Sequence, residues 1–282
     1  MPELRPMRVE DVEEVHELNL LTFEALSASR DEPPEPRPDP AQAHIRYRHL
    51  ATTDPEGAWV AEHDGAIVGC ALALRREDVW GLSLLIVRPD MQSSGTGSAL
   101  LRRANEYAAG ARGRIILASP DPRALRAYSR LGLDFHPSAS AFGTPRVTAP
   151  GGIVEGDAGD IPLTETVDRH VRGAAHGVDI GAQLEMGQTL LIAPERGYAV
   201  VPPGGGLRLL AARDEDAAAD LLRAALARAE SEMMVEWLTS SQQWAIRVCV
   251  EAGLELRAGT GGVFVSGEVG PFRPYLPSGA FL

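Results

Sequence analysis

The chain has 282 residues, room for one large domain or two of about 140 on the usual size range. It is 44% hydrophobic and 23% charged, the composition of a globular protein with sizeable cores, and no run approaches the roughly eighteen consecutive apolar residues of a membrane span. All 27 basic residues are arginine against 39 acidic ones, and the net charge of −12 argues against nucleic acid or an anionic membrane as partner while suiting a cationic substrate.

The N-terminus MPELRPMRVEDVEEV lacks the apolar core of a secretory signal. Cys70 and Cys249 sit in apolar surroundings, too few for a disulfide framework, so both are expected as buried thiols in a cytoplasmic protein. The lysine-free, Ala/Gly/Pro/Arg-rich composition is what a high-GC bacterial genome would encode.

In chain order, Val12, Val15, Leu18 and Leu21 give a helical period over 9–26, and acidic residues lie at its positive N-terminal end. The proline-rich Asp31–Pro40 predicts a mobile loop, and 41–50 a second short helix. A hairpin is predicted from 57–62 and 66–74 around Asp64-Gly65. The almost wholly apolar Trp80–Val87 is a central strand. A glycine-rich turn, a helix over 97–109, a strand over 114–118, a helix over 121–131 and a strand over 133–142 follow. Residues 143–162 read as a linker between a first domain, 1–145, and a second, 163–282. The second half holds a helical stretch over 163–187 and strands at 189–193, 197–201 and 207–212. A helix over 216–230, a strand over 233–239, a helix over 242–252 and a strand over 263–269 complete it. This alternation predicts a mixed α/β fold, a twisted sheet layered by helices in each half.

The halves are related. Shifting 87–135 by 121 lays it without a gap on 208–256, where Leu100, Leu101, Arg102, Ala104, Ala108, Leu117, Ser119, Ala124, Arg126, Gly132 and Leu133 all recur. Helix, strand, helix and Gly-Leu stop coincide, so the chain reads as two copies of one domain.

The most informative segment is LLIVRPDMQSSGTGSALLRRA, Leu84 to Ala104. A buried strand ends at Arg88-Pro89, and Gln92, Ser93, Ser94, Gly95, Thr96, Gly97 and Ser98 turn into an apolar-periodic helix. Glycines let a ligand approach the main chain, and free N–H groups at a helix N-terminus favour an anion. The pattern is neither the P-loop nor the dinucleotide-binding GxGxxG. The Q-x-x-G-x-G after strand-V-x-P resembles the coenzyme A pyrophosphate loop of the GNAT acetyltransferase superfamily. A second likeness lies in ALRAYSRLGL, Ala124 to Leu133, similar to that superfamily's A-x-x-x-Y-x-x-x-G-F helix with Leu133 in place of phenylalanine.

The resemblance covers residues 7–142 and implies acetyl-CoA as co-substrate; the scattered histidines, by their spacing, predict no metal. It implies that residues 92–98 hold the pyrophosphate, that Leu85, Ile86 and Val87 pair with the pantetheine arm, and that Tyr128 protonates the departing thiolate. The implied reaction is direct attack by an amine of a small, cationic acceptor in a ternary complex, without a covalent enzyme intermediate. A non-catalytic acyl-CoA-binding regulator, an empty-looped scaffolding dimer, and transfer of a longer acyl chain or to a hydroxyl remain open alternatives; the protein itself is expected as a monomer or homodimer.

Under the same shift the loop becomes Arg213-Asp214-Glu215-Asp216-Ala217-Ala218 and Tyr128 becomes Cys249. Three carboxylates at the helix N-terminus would repel an anion, so the second copy is expected to keep the fold without the cofactor site. On the acceptor side, Trp80–Val87 carries no carboxylate to serve as base. Glu77 at the mouth of that strand and His176 with Asp179 on a glycine-flanked turn are the candidates. In the enhanced-intracellular-survival acetyltransferases a terminal carboxylate reaches the active site, which by resemblance adds Leu282. The remaining histidines have no metal-ligand spacing.

Overall fold

In the computed structural model, which describes residues 2–31 and 39–282, the chain begins with β1 (Glu3–Pro6), antiparallel to β2 (Ala58–His63). Four residues with two prolines near them show no period, so nothing local announces this strand. A 3-10 turn at Val9–Asp11 leads into α1 (Val12–Ala28), which buries Val12, Val15 and Leu18. The proline-rich segment expected to be mobile falls, at 32–38, outside the described residues. In α2 (Pro40–Thr53) the Asp39 carboxylate accepts from the Ala41 N–H at 3.0 Å, a cap with proline at the first helical position.

The β2 strand and β3 (Ala66–Arg76) form the expected hairpin, with Asp64 at φ 52° and Gly65 at φ 77°, as a two-residue I′ turn requires. Next come β4 (Val79–Val87) and α3 (Thr96–Glu106). Residues Met1–Arg75 with Trp80–Ala111 make one compact unit, its strands ordered β1-β2-β3-β4. Trp80 on β4 is wholly buried, and its indole N–H donates to the Ala104 carbonyl of α3 at 3.0 Å. A Cβ at Gly69 would lie 2.8 Å from Leu100 Cδ1, so α3 sits close on β3 only because that position has no side chain.

The second unit comprises Arg76–Val79 with Arg112–Leu282. It holds β5 (Gly113–Ala118), α4 (Pro122–Arg130), β6 (Asp134–Gly143) and β7 (Val154–Gly156), the last inside the stretch read as a linker. The single helical stretch expected over 163–187 is two helices, α5 (Ile161–Val171) and α6 (Val178–Glu185), parted where Gly173 and Gly177 take φ of 92° and 55°. Then follow β8 (Thr189–Ala193), β9 (Gly197–Val201), β10 (Leu209–Ala212), α7 (Glu215–Leu226), β11 (Met233–Thr239), α8 (Gln243–Glu251), β12 (Glu255–Gly267) and β13 (Tyr275–Leu276).

The strands of this unit run β5-β12-β6-β11 and β13-β10-β9-β8-β7. The long β12 slots antiparallel between β5 and β6, Val263 opposing Leu117 on one side and His136 on the other, with a bulge between Ala258 and Gly262. A strand from the second repeat is thereby built between two strands of the first. The compact units accordingly part near residue 111, whereas the repeat places a boundary at 145–163. The duplication itself is visible in the elements: α4 and α8 lie 121 residues apart at both ends, as do the starts of β6 and β12.

Candidate active site

In the first unit, the turn from β4 to α3 is built to leave main-chain N–H groups open. Ser93 and Gly95 take φ of 63° and 93°, and Gly95 is the residue that caps α3. The Ser94 hydroxyl donates to the Met91 carbonyl at 2.6 Å and meets Thr96 Oγ1 at 2.9 Å, which fixes the turn from within. The first amide of the helix head with an acceptor is that of Ala99, bonded to Gly95 O at 3.0 Å. Among the described residues, no acceptor takes the N–H groups of residues 93 through 98. Six donors at the positive end of an eleven-residue helix make an anion cradle.

Gln92 has a different place from its neighbours. Its side-chain amide donates to Val87 O at 3.0 Å and its N–H bonds Pro89 O, so it closes the turn onto β4 and the open donors begin at Ser93. On β4, Ile86 and Val87 are buried and Leu85 is half-buried.

Tyr128 lies on α4 in the second unit, 5% exposed, its ring meeting Phe264 of β12 edge-on at 5.6 Å. Burial pushes its phenol above the ordinary range, with the Asp121 carboxylate adding to the effect. Among the described residues the Tyr128 hydroxyl has no hydrogen-bond partner.

The acceptor-side candidates are held in other ways. Glu77, at φ 54° in the β3–β4 turn, accepts from Arg169 Nε at 2.7 Å, and its neighbour Asp78 from Arg112 Nε at 2.7 Å. Both pairs are half-exposed and contribute about 0–1 kcal/mol each. His176 and Asp179 do not line one pocket together: each is fully buried and each has another partner. His176 Nδ1 lies 2.9 Å from Asp168 Oδ2, which also accepts the His176 main-chain N–H at 3.0 Å. Tyr198 donates to the other Asp168 oxygen. Asp179 takes a two-toothed ion pair from Arg76, at 2.7 and 2.6 Å. The turn at Gly177 sends the two side chains apart. Leu282 is also buried, its main-chain oxygen 2.6 Å from His176 Nε2 and 2.8 Å from the donating Tyr275 hydroxyl.

Asp168, His176, Tyr198 and Tyr275 are a closed network among fully buried groups. Asp168→Ala is expected to destabilise the protein by about 3–5 kcal/mol, read by chemical denaturation, since it strips a buried histidine and tyrosine of their acceptor.

In the second copy the loop is lost by shortening as well as by substitution. Between β4 and α3 lie Arg88 through Gly95, but between β10 and α7 only Arg213 and Asp214. The gap-free shift therefore holds from the helix onward and not before it. Asp214 accepts from the Ala217 N–H at 2.9 Å and from Arg196 Nε at 2.9 Å, so a carboxylate of the chain fills the helix end where an anion would sit. The edge of β10 is taken by β13, Leu276 opposing Leu210 and Tyr275 opposing Ala211. Cys249 is buried and its thiol pushed up to about 12 by burial, which leaves it un-ionised; Cys70 is likewise buried and raised.

Motif reading also passes over a group in the first unit. His16 and Asn19 on α1 and His44 on α2 carry buried polar atoms, and the only local signal is a histidine at a position of the buried α1 face. Among the described residues no three His, Cys, Asp or Glu side chains are placed to hold a metal, and no helix is long and apolar enough to cross a membrane.

Residues 18–133 match the model of the acetyltransferase (GNAT) family. No curated protein matches the chain. Among solved structures, a proposed acetyltransferase of Pyrococcus horikoshii superposes with a TM-score of 0.76 at 16% identity, over 94% of this chain and 89% of that one. A GCN5-related N-acetyltransferase of Sphaerobacter thermophilus does so at 0.59 and 15%, over 94% and 95%. A tandem GNAT protein from the clavulanic acid biosynthesis pathway does so at 0.57 and 12%, over 95% and 98%. Residues 18–133 thus carry the GNAT family match, and the repeat of elements at 121 residues with these whole-chain superpositions gives the chain the fold of two GNAT-like copies in tandem.

Proposed function

We propose that the protein is an acetyl-CoA-dependent N-acetyltransferase working through its first copy, and that its acceptor is a small, cationic amine. The observation that carries this reading is the row of unaccepted N–H groups at residues 93 to 98 directly after β4. Such a row suits a diphosphate, whose oxygens accept several main-chain donors at once. The half-buried Leu85 and its neighbours Ile86 and Val87 offer a strand for the pantetheine arm running back from that anchor.

The chemistry needs no covalent intermediate. The amine nitrogen attacks the thioester carbonyl, the C–S bond breaks with its electron pair on sulfur, and the thiolate is protonated. Tyr128 is our assignment for that donor, because burial keeps its proton in place and its hydroxyl is uncommitted. The net charge of −12 favours a cationic acceptor by raising its local concentration.

The test is thiol release from acetyl-CoA across a panel of primary amines, with calorimetric titration of coenzyme A alongside. Saturable binding at one equivalent per chain and release with at least one amine are expected. Two equivalents would contradict the assignment of a single working copy, and no binding at millimolar coenzyme A would remove the reading altogether.

A further inference from the structure

The acyl-transfer reading leaves the amine's proton without a destination, since β4 carries no carboxylate from Val79 to Val87. In the same unit, α1 and α2 carry three buried polar atoms that have no partner among the described residues: His16 Nδ1, Asn19 Oδ1 and His44 Nε2. His16 and Asn19 are three apart on one helix and share a face. The His16 and His44 rings meet edge-on at 5.2 Å, and Tyr47 lies 6.3 Å from His16. His16 is only 2% exposed.

The group is tied to β4. Arg46, beside Tyr47 on α2, donates from Nη2 to Ser83 O at 2.8 Å and to Ser83 Oγ at 2.7 Å. Ser83 lies four residues before Val87, about 14 Å back along the strand from the anion cradle at the usual rise per residue. That is the direction in which an acyl arm anchored at residues 93–98 and laid along Leu85 would point.

Buried polar atoms are ordinarily satisfied, and these three share one demand. Asn19 Oδ1 can only accept, and a neutral imidazole nitrogen accepts through its lone pair. A group carrying two or three N–H donors fits all of them, whereas a carboxylate or phosphate is refused by Asn19 Oδ1 and is met only by imidazole N–H groups. We propose that His16, Asn19 and His44 bind the acceptor's primary amine and that His16 takes its proton, an inference that rests on the acyl-transfer reading above.

His16 is suited to this. Burial lowers its affinity for a proton and the neighbouring His44 lowers it further, while Glu17 on its own helix works the other way. From α2, the His44 and Tyr47 rings face it, while the Arg46 guanidinium lies over the Tyr47 ring. The ammonium R–NH3⁺ gives one proton to His16, and the freed lone pair forms the N–C bond. The C–S pair goes to sulfur, the nitrogen sheds its second proton on becoming an amide, and sulfur gains one. His16 then passes its proton to solvent, so one proton is released per turnover.

The experiment starts from the wild-type protein with coenzyme A bound, its imidazole NMR signals assigned through His16→Gln and His44→Gln. Butylamine, spermidine, glycinamide and an aminoglycoside are added in turn at millimolar concentration. At least one is expected to shift both imidazoles and to be acetylated from acetyl-CoA. Its kcat/KM should rise with pH through a His16 midpoint below the ordinary histidine value. In His16→Gln that acid limb disappears and the rate falls roughly a hundredfold with coenzyme A affinity unchanged. Should His16→Gln fail to fold, His44→Gln and Asn19→Leu are read for a raised KM on the same amine. A cluster that no amine perturbs, holding water only, or a His16→Gln enzyme with the wild-type profile, overturns the proposal while coenzyme A binding still stands. Wild-type protein that binds no coenzyme A overturns the acyl-transfer reading itself, and this inference with it.

Discussion

Gly95→Val is expected to weaken coenzyme A binding at least about a hundredfold, a loss of about 2.7 kcal/mol, measured by calorimetric titration. The reason is local. Gly95 sits at φ 93°, where a β-branched residue is strained by roughly 1–3 kcal/mol, although a Cβ there would meet nothing within 4 Å. The strain is relieved by moving the main chain, and the main chain is what presents the donors of residues 93 to 98. Because no packing is disturbed, the melting temperature should fall by only a few degrees. Gly97→Val tests the same cradle from its other side, where a new Cβ would stand 3.4 Å from Val87 Cγ2. Retention of wild-type affinity in both variants would exclude the turn as the anchor.

Tyr128→Phe is expected to lower kcat by roughly a hundredfold to ten-thousandfold with KM for acetyl-CoA little changed. Its stability should be unchanged or slightly higher. A tyrosine retained for packing alone would keep its rate in Tyr128→Phe, since the ring remains. The structure makes the distinction sharp because the ring packs on Phe264 while the hydroxyl has no partner among the described residues, so deleting the oxygen breaks no hydrogen bond. Burial holds the phenol above its ordinary value of 10.0, so the protonated donor persists as pH rises and contributes no alkaline fall in rate below about pH 10. A steep loss of activity between pH 8 and 9 that vanished in Tyr128→Phe would contradict this.

Much of the molecule is written locally. The Asp64-Gly65 turn, the apolar β4 and the helix α4 with its copy α8 all follow from short-range periods and turn chemistry, which is why they fall where the residues predict them. The anion cradle is equally local: two glycines after a buried strand and before an amphipathic helix suffice to open six N–H groups. The strands β1 and β13 are too short to carry a period, and only pairing with β2 and β10 defines them.

What the residues determined by themselves is therefore the GNAT elements, their duplication and the loop that distinguishes one copy from the other. What tertiary structure alone decided is who meets whom. It set β12 between β5 and β6, gave Asp168 rather than Asp179 to His176, and put His16 of one helix against His44 of another. Spacing along a chain reports which face a side chain takes on its own element, whereas such partnerships join residues as far apart as Gly113 and Gly267 and depend on packing that no local period encodes.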